Sequence, residues 1–504
     1  MSVLRAEWTK FRTVRGWVVG LVVAALVTAL LGLLAASGSH TSCSAGPVEV
    51  PCPEPPLGPE GQAVNDRFFF VHRSLAGDGS ITARVTSLSG RIRLPDVTPG
   101  VRKEAAGLTP WAKAGVIVKE STRQGSTYAA VMVTAEHGVR MQHDFVHDVA
   151  GRPVGVSKES PRWLRLTRTG DSLTGYESAD GRRWTTVGTV TLTGLPDTVR
   201  VGIFATSPGA VTTTRGDFGG SITAARFSEA TAVFDQVGVD GTAGGAWSHD
   251  DIGVTVGPDG KPHHPGRVER SGGTVSVTGV GDIGPSDEGR TIESTLSGVL
   301  AGLIGVVVVA VLFVTGEYRR GLIRTTLIAV PRRGGVLAAK AVVIAVATFA
   351  AGLAAATATV LIGTRVLRGN GNYVLPVPVL TEVRVVAGIA ALLAVVAVFA
   401  LALGALFRRS AAAVTVALAA IVLPHILATS SVLPLGATQW LMRLTPAAGF
   451  AIQQSLPEYA HVVGNISPQA GYYPLPPWAG LAVSCGYAAL ALSLAAVRLR
   501  RRDA

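Results

Sequence analysis

Six long runs of apolar residues without Asp, Glu, Lys or Arg constrain the fold of this chain more than any other feature. A helix needs about 20 such residues to cross a bilayer. A buried helix of a soluble protein would explain one run but not six, and the abundant Ala and Gly suit close helix packing in lipid. The sequence therefore predicts a polytopic α-helical membrane protein with six transmembrane helices. The runs occupy residues 16–36, 294–316, 341–364, 385–407, 411–433 and 477–497.

Charged residues are few and unevenly placed. They make up 15% of the chain, well below the share in ordinary soluble domains, which disfavours intrinsic disorder and a nucleic-acid partner. Sixteen basic and only three acidic residues lie in segments 1–15, 317–340, 408–409 and 498–504. By the positive-inside rule both termini are cytoplasmic, and residues 37–293 are extracellular. The excess of Arg over Lys, with abundant Ala, Gly and Val, is typical of GC-rich bacteria and indicates a bacterial plasma membrane.

The segment 1–15 predicts a short amphipathic helix at the cytoplasmic membrane surface. Leu4, Trp8 and Phe11 recur at helical spacing, with Arg5 on another face. A cleaved signal peptide is the alternative, but its apolar core spans about 7–15 residues, whereas the first run here has 21. We therefore expect an uncleaved first span. The candidate residues of this interface helix are Glu7, Trp8, Lys10, Phe11 and Arg12.

The extracellular segment opens with a linker, residues 37–64, that is rich in Ser, Gly and Pro. Cys43 and Cys52 lie within it, and the remaining cysteine, Cys485, lies in the sixth apolar run. Two cysteines close together on the oxidising side of a membrane favour a local disulfide. Two free thiols are the alternative. A bridge here would staple the linker and would have no catalytic role.

Residues 65–235 have the pattern of short β-strands. Apolar and polar residues alternate, for example at 81–85 and 163–168, and turn sequences such as Gly-Asp-Gly at 77–79 separate the strands. No helical pattern intervenes, which predicts an inserted all-β antiparallel sandwich. The Gly- and Asp-rich residues 236–293 predict a small β extension or stalk before the membrane.

Four stretches of this segment carry a family resemblance. Residues 111–120, 163–166 and 201–204, and most specifically the Ser-x-Asp-Gly-x-x-Trp hairpin from Ser178 to Trp184, resemble the concanavalin A-like, laminin G-like jelly-roll domains of bacterial surface proteins. The resemblance implies a jelly-roll sandwich. Many such domains bind sugars and others only pack, and no pair of carboxylates is placed for glycoside hydrolysis.

A local cluster of histidines and aspartates invites a metal-binding interpretation. It consists of His137, His143, His147, Asp144 and Asp148. Only a helix would bring His143 and His147 together, and the surrounding pattern is one of strands and loops. We therefore expect a solvated loop rather than a metal site.

The connection after the second apolar run, residues 317–340, predicts a short cytoplasmic amphipathic helix. Apolar residues recur at helical spacing from Ile323, Arg320 and Arg324 are one turn apart, and a proline would end the helix. A basic membrane anchor without further function is the simpler interpretation. Glu317 favours more than an anchor, because a carboxylate at a helix start can organise arginines through the dipole and ion pairing.

The membrane part also resembles a known family. Residues 6–15, the Glu-Tyr-x-x-Gly-x-Ile-Arg-Thr-Thr-Leu stretch at 317–327, and Pro-Ala-Ala-Gly-Phe at 446–450 are similar to signature segments of type-2 ABC transporter permeases. The resemblance covers residues 1–36 and 294–504 and departs from a minimal permease by the large insertion. It implies an exporter in which two permease subunits, identical or different, assemble with two cytoplasmic ATPase subunits.

An ATPase partner would have to supply the energy, because this chain has no Gly-x4-Gly-Lys-Ser/Thr phosphate loop. ATP would bind that partner, and no cofactor is expected in this chain. The 317–330 helix would press its apolar face into a groove on the ATPase. The candidate coupling residues are Glu317, Tyr318, Arg319, Arg320, Ile323, Arg324 and Leu327.

His425 is the ionisable side chain predicted inside a span. It lies beside a proline in the fifth run, and intramembrane ionisable groups are candidates for function. A neutral histidine packed at a proline kink is the alternative.

Two other functional classes compete with a transport subunit. A membrane-anchored cell-surface sugar-binding or sensory protein needs only one or two spans, which would leave most of the six unexplained. A membrane-anchored hydrolase is disfavoured because the chain has no Gly-x-Ser-x-Gly nucleophile elbow. We therefore expect no catalytic residues in this chain, and neither the substrate nor its direction of travel follows from the sequence.

Overall fold

The structure, a computed structural model, has two parts. A large β-sheet region lies between two stretches of chain that together form a bundle of α-helices. Four predicted coupling residues, Arg320, Ile323, Arg324 and Leu327, lie outside the described residues. The structure describes residues 3–45, 48–94, 103–215, 221–256, 261–286, 288–319, 321, 333–430, 432–462, 468 and 471–501.

Eight α-helices lie in the described part of the chain. They are α1 (Val3–Thr13), α2 (Arg15–Ser37), α3 (Val299–Arg319), α4 (Arg333–Gly369), α5 (Val379–Phe407), α6 (Ser410–Thr429), α7 (Leu435–Leu444) and α8 (Pro477–Arg501), with 3₁₀ helices at Ile292–Gly298 and Pro446–Gln453. Six of them, all but α1 and α7, are long and apolar enough to cross a membrane. This confirms the prediction of six such helices, although α6 ends four residues before the predicted end of its run.

Helix α5 lies at the centre of the bundle. Its residues Ile389, Leu392 and Ala400 are fully buried, and it packs against α3, α4 and α8. The contact between α2 and α3 depends on small residues, since a β-carbon on Gly302 would lie 1.8 Å from Oγ1 of Thr28. Small residues at such contacts let helix backbones approach closely, as membrane helices require.

The β region contains 21 strands within the described residues. They are β1 (Cys43–Ala45), β2 (Val48–Val50), β3 (Val64–Asp66), β4 (Phe68–Arg93), β5 (Glu104–Ala106), β6 (Lys113–Lys119), β7 (Tyr128–Thr134), β8 (Val139–His143), β9 (His147–Ala150), β10 (Arg162–Thr169), β11 (Ser172–Ser178), β12 (Thr185–Thr191), β13 (Thr198–Thr206), β14 (Ala210–Arg215), β15 (Ser221–Arg226), β16 (Ser228–Ile252), β17 (Thr255–Val256), β18 (Pro262–His263), β19 (Arg267–Ser271), β20 (Thr274–Gly279) and β21 (Ile283–Pro285).

Two long strands, β4 and β16, run antiparallel along each other and organise the main sheet. The other edge of β4 pairs with β13 up to Ala76 and with β10 from Gly79. Gly77 lies between these pairings with φ of +64°, a conformation that favours glycine. The predicted turn between strands is therefore a bend within one long strand.

The two halves of the bent sheet face each other and enclose an apolar core. One half continues through β10, β11 and β12, and the other through β13, β6, β7, β8 and β9. Val131 of β7 and Leu164 of β10 lie in the same core, and a β-carbon on Gly175 of β11 would lie 2.4 Å from Val131. The structure confirms a large β region, and its membership of a jelly-roll family stays a prediction.

The main sheet extends beyond the predicted boundary at residue 235. Residues 236–252 continue in β16 alongside β4. The alternating stretch at 274–277 lies in β20, which pairs with both β16 and β19. Much of the predicted extension is therefore integrated into the sheet.

The linker is closed by a disulfide between Cys43 and Cys52. The two short strands within this loop, β1 and β2, pair as a hairpin. The bridge is the one predicted from the positions of these cysteines.

The two ends of the β region meet at the helical bundle. Arg290 donates a hydrogen bond from Nη2 to Oγ of Ser39 at 3.0 Å. Asn372, in the turn after α4, accepts hydrogen bonds at Oδ1 from Ser39 and Thr41 at 3.0 and 2.8 Å. A second attachment joins the buried His461, before α8, to the carbonyl oxygen of Phe145 at 2.8 Å.

Candidate functional site: a buried charge cluster shared by three helices

Four charged side chains meet where α1 lies against the end of α3 and the start of α4. Nζ of Lys340 lies 2.7 Å from Oε2 of Glu7 and 2.7 Å from Oε1 of Glu317. Nζ of Lys10 lies 2.9 Å from Oε1 of Glu7 and 3.4 Å from Oε1 of Glu317. We call these four residues the charge cluster. Its two carboxylates and two ammonium groups balance, which reduces the cost of burying them.

Three of the four side chains in the charge cluster are buried. The side chains of Glu7, Glu317 and Lys340 are 2%, 6% and 1% exposed, whereas that of Lys10 is 38% exposed. Burial lowers the pKa of Lys10, but the hydrogen bonds and charges of Glu7 and Glu317 outweigh burial and raise this pKa above its ordinary value. Lys10 therefore stays charged and provides the solvent-facing side of the cluster.

Aromatic side chains form the apolar wall of the charge cluster. The ring of Phe313 lies edge-to-face with Phe11 at 5.5 Å and with Trp17 at 5.0 Å between centroids. Nζ of Lys340 lies 4.7 Å from the centroid of the same ring, a favourable distance for a cation–π contact. The ring system excludes water and so strengthens the ion pairs next to it.

A further contact ties α3 to the connection between α5 and α6. Cζ of Arg408 lies 5.3 Å from the centroid of the Tyr318 ring. Arg408 ends α5 in a left-handed conformation, with φ of +58°. The guanidinium therefore lies against the last turn of α3, and the connection between α5 and α6 contacts the helix end that carries Glu317.

The structure brings together several residues predicted from two distant parts of the sequence. Glu7 and Phe11 are the buried residues of α1, and they meet Glu317 through the charge cluster and its aromatic wall. Trp8 stacks on Phe11 but is 41% exposed. The remaining described candidates, Arg12 and Arg319, are exposed.

The sequence distinguishes Lys340 only as one of the basic residues that indicate orientation. A single lysine at the start of an apolar run resembles an ordinary interface anchor. Its pairing with Glu7 joins residues 333 positions apart in the chain. The only sequence signal is that these overwhelmingly basic segments contain three acidic residues, two of which are Glu7 and Glu317.

The intramembrane candidate, His425, packs against an aromatic ring. It lies in α6 next to Pro424 and stacks on Phe450 with 4.0 Å between ring centroids. Its Nδ1 is buried without a hydrogen-bond partner among the described residues. This geometry agrees with the packed-histidine alternative and shows no proton relay through the described part of the bundle.

The histidine and aspartate cluster of the β region is divided among separate contacts. His137 stacks on Trp111 with 3.8 Å between ring centroids. The expectations of a loop, and of a helix as the only way to bring His143 and His147 together, are wrong, because the antiparallel strands β8 and β9 place the two residues opposite each other with 4.4 Å between ring centroids. Asp148 pairs with Arg140. Across the described ranges, no three His, Cys, Asp or Glu side chains are grouped so that they could hold a metal ion.

Comparison with known proteins assigns no family. No family model and no curated protein matches the chain. A crystal structure of scytalido-glutamic peptidase with a transition state analog inhibitor has 10% identity and a TM-score of 0.27, covering 42% of this chain and 98% of that one. A functionally unknown protein from Saccharomyces cerevisiae has 13% identity and a TM-score of 0.24, covering 42% and 99%. Similarities at these scores support no conclusion about function.

Proposed function

We propose that this chain is the membrane-spanning subunit of an ABC transporter of the type-2 permease class, an exporter powered by a separate cytoplasmic ATPase. The charge cluster is the observation that carries the proposal. It joins the two segments that resemble the permease signatures, residues 6–15 and the start of 317–327, although about 300 residues of chain separate them. Six helices long and apolar enough to cross a membrane supply the transmembrane part.

The charge cluster suits a role in transmitting motion. Segment 317–340 joins the end of α3 to the start of α4, and the cluster ties both ends of this segment to α1. A displacement imposed on the segment by an ATPase would reach three helices together. ATP-driven closure of the partner would then change the relative populations of inward- and outward-open arrangements of the bundle.

The same proposal assigns an orientation. The basic segments lie on the cytoplasmic side of a bacterial plasma membrane, and the β region, as a concanavalin A-like domain, lies outside. The Cys43–Cys52 disulfide supports this assignment, because disulfides persist on the oxidising side of the membrane. A second permease subunit, as the same or a different chain, would complete the assembly.

Co-purification tests the proposal directly. Full-length tagged protein is expressed in its own host, extracted in mild detergent, and assayed for a bound ATPase and for ATP hydrolysis. Arg12→Glu and Arg319→Glu reverse exposed charges on α1 and α3 next to the cluster. Arg182→Glu reverses an exposed charge in the β region and is the matched control.

We expect the wild type and Arg182→Glu to retain the ATPase and the two other variants to lose most of it. Failure of the wild-type protein to bring down any ATPase would refute the proposal and favour an anchored sugar-binding or sensory protein. Equal ATPase recovery with all three variants would refute the assignment of this end of the bundle as the coupling surface.

A further inference from the structure

A groove with a volume of about 340 Å³ lies at the end of α4 opposite the charge cluster. Its polar lining comes from Thr364, Arg365 and Arg368 of α4 and from Glu382 of α5. Its apolar lining includes Leu361 of α4 and the segment 374–377 that follows α4. The groove therefore combines two cations, one carboxylate and an apolar wall within the size range of small-ligand sites.

The two arginines lie at the edge of the membrane-spanning part of α4. The apolar run of this helix ends at residue 364, directly before Arg365. Residues three positions apart lie on the same face of a helix, so Arg365 and Arg368 point their guanidinium groups toward the same groove. Among the residues that the structure describes, no carboxylate lies within 4.0 Å of either group.

The apolar side of the groove continues onto the outer surface of the bundle. Leu361 and Ile362 are 47% and 45% exposed, although they belong to a helix apolar enough to cross a membrane. In a bilayer these side chains contact acyl chains. A molecule in the groove can therefore place a charged group on the arginines and a hydrocarbon group on α4.

We propose that this groove binds the headgroup of an anionic phospholipid. The lipid phosphate lies between Arg365 and Arg368, since guanidinium groups bind phosphate through paired, charge-assisted hydrogen bonds. A hydroxyl of the headgroup donates to the carboxylate of Glu382, and the acyl chains lie along Leu361 and Ile362. Two cations and one carboxylate leave one positive charge, which a lipid with one negative charge neutralises and a zwitterionic lipid does not.

This inference is independent of the proposed transport function, because it needs only that α4 spans a membrane. The test uses full-length protein in nanodiscs of phosphatidylcholine with increasing phosphatidylglycerol. After mild extraction, native mass spectrometry counts the retained phosphatidylglycerol. We expect Arg365→Gln with Arg368→Gln to weaken retention by about tenfold or more, as loss of two charge-assisted contacts implies.

Arg443→Gln is the matched control. Arg443 of α7 also lies near the end of the bundle, where it donates to the carbonyl of Pro474 and lies 5.7 Å from the Trp440 ring, but it does not line the groove. We expect this variant to retain phosphatidylglycerol as the wild type does. Equal retention by the double variant and the wild type would overturn the proposal.

Two further arms separate the lipid from other anions and from misfolding. Glu382→Gln makes the groove more positive but replaces the carboxylate acceptor by a weaker amide acceptor. It should therefore shift the preference from phosphatidylglycerol toward phosphatidic acid, which lacks the glycerol headgroup, and this comparison holds even if the double variant unfolds. Displacement of the lipid by millimolar inorganic phosphate would show a free-anion site and overturn the proposal, as would equal retention of phosphatidylethanolamine.

Discussion

Replacement of Lys340 by Met tests how much the charge cluster stabilises the helical bundle. Methionine keeps an unbranched apolar stem but removes the charge and its three donors. Glu7 and Glu317 would each lose a partner at 2.7 Å. They would then depend on Lys10 alone, at 2.9 and 3.4 Å.

The expected loss follows from the burial of the three groups. Removing one partner of a buried ion pair costs about 3–5 kcal/mol, because the remaining charge stays buried. Lys10 is the partly exposed member of the cluster, and exposed ion pairs contribute about 1 kcal/mol or less. Lys340→Met should therefore lower the free energy of unfolding by at least about 2 kcal/mol more than Lys10→Met does.

The measurement is the free energy of unfolding of the full-length protein in mixed micelles titrated with dodecyl sulfate. Adding Glu317→Gln to Lys340→Met removes one uncompensated carboxylate and should restore part of the loss, a coupling that a double-mutant cycle isolates. Equal losses for Lys340→Met and Lys10→Met, or a double variant no more stable than Lys340→Met, would show that charge pairing does not stabilise this part of the bundle.

Three further predictions concern helix packing, pH and orientation. Gly302→Leu should lower the melting temperature in detergent, because its β-carbon would lie 1.8 Å from a threonine hydroxyl of α2, whereas Gly316→Ala, with no atom within 4 Å, should not. Backbone hydrogen bonds from Arg183 and Arg182 lower the pKa of Asp180 from 3.8 to about 2. The ionised Asp180 carboxylate should therefore stabilise the fold fully above pH 3.8, and this stabilisation should be lost as the pH falls through about 2. Amide protection factors of the hairpin should show this pH dependence in the wild type but not in Asp180→Asn. With the free native cysteine replaced, a membrane-impermeant maleimide applied to intact cells should label Arg182→Cys and not Arg12→Cys, and the reverse pattern would contradict the assigned orientation.

The helices and strands differ in how far local sequence determines them. Long apolar runs define the six helices because any such run in lipid must satisfy its backbone hydrogen bonds internally. The alternation at residues 163–168 correctly located β10. Leu164 and Leu166 are buried, whereas the residues between and beside them in the strand, such as Arg165, are only partly buried. The sequence predicts a turn between two strands at Gly77, whereas the structure has a bend within β4. A glycine with positive φ fits both a turn and a bend, and only the pairing of β4 with β16 on both sides of Gly77 shows that the strand continues.

The charge cluster was only partly visible in the sequence. Glu7 and Glu317 stood out as acidic residues within basic segments, and their segments resembled permease signatures. Lys340 could not be assigned, because nothing local distinguishes an interfacial lysine from one that inserts between two helices. The pairing exists only through tertiary contacts between residues far apart in the chain.

The hydrogen bond between Arg290 and Ser39 has a consequence for how this architecture can vary. It joins the points where the chain leaves and re-enters the helical bundle, which are 251 positions apart in sequence. Insertions and deletions of whole domains succeed where the two ends lie close together. A few Gly and Ser residues could therefore replace the β region without stretching α2 away from α3, and the same junction would accept an unrelated domain. The helices can keep their packing while the domain mounted on them is exchanged, although His461, before α8, would lose its contact with Phe145 and need a new partner.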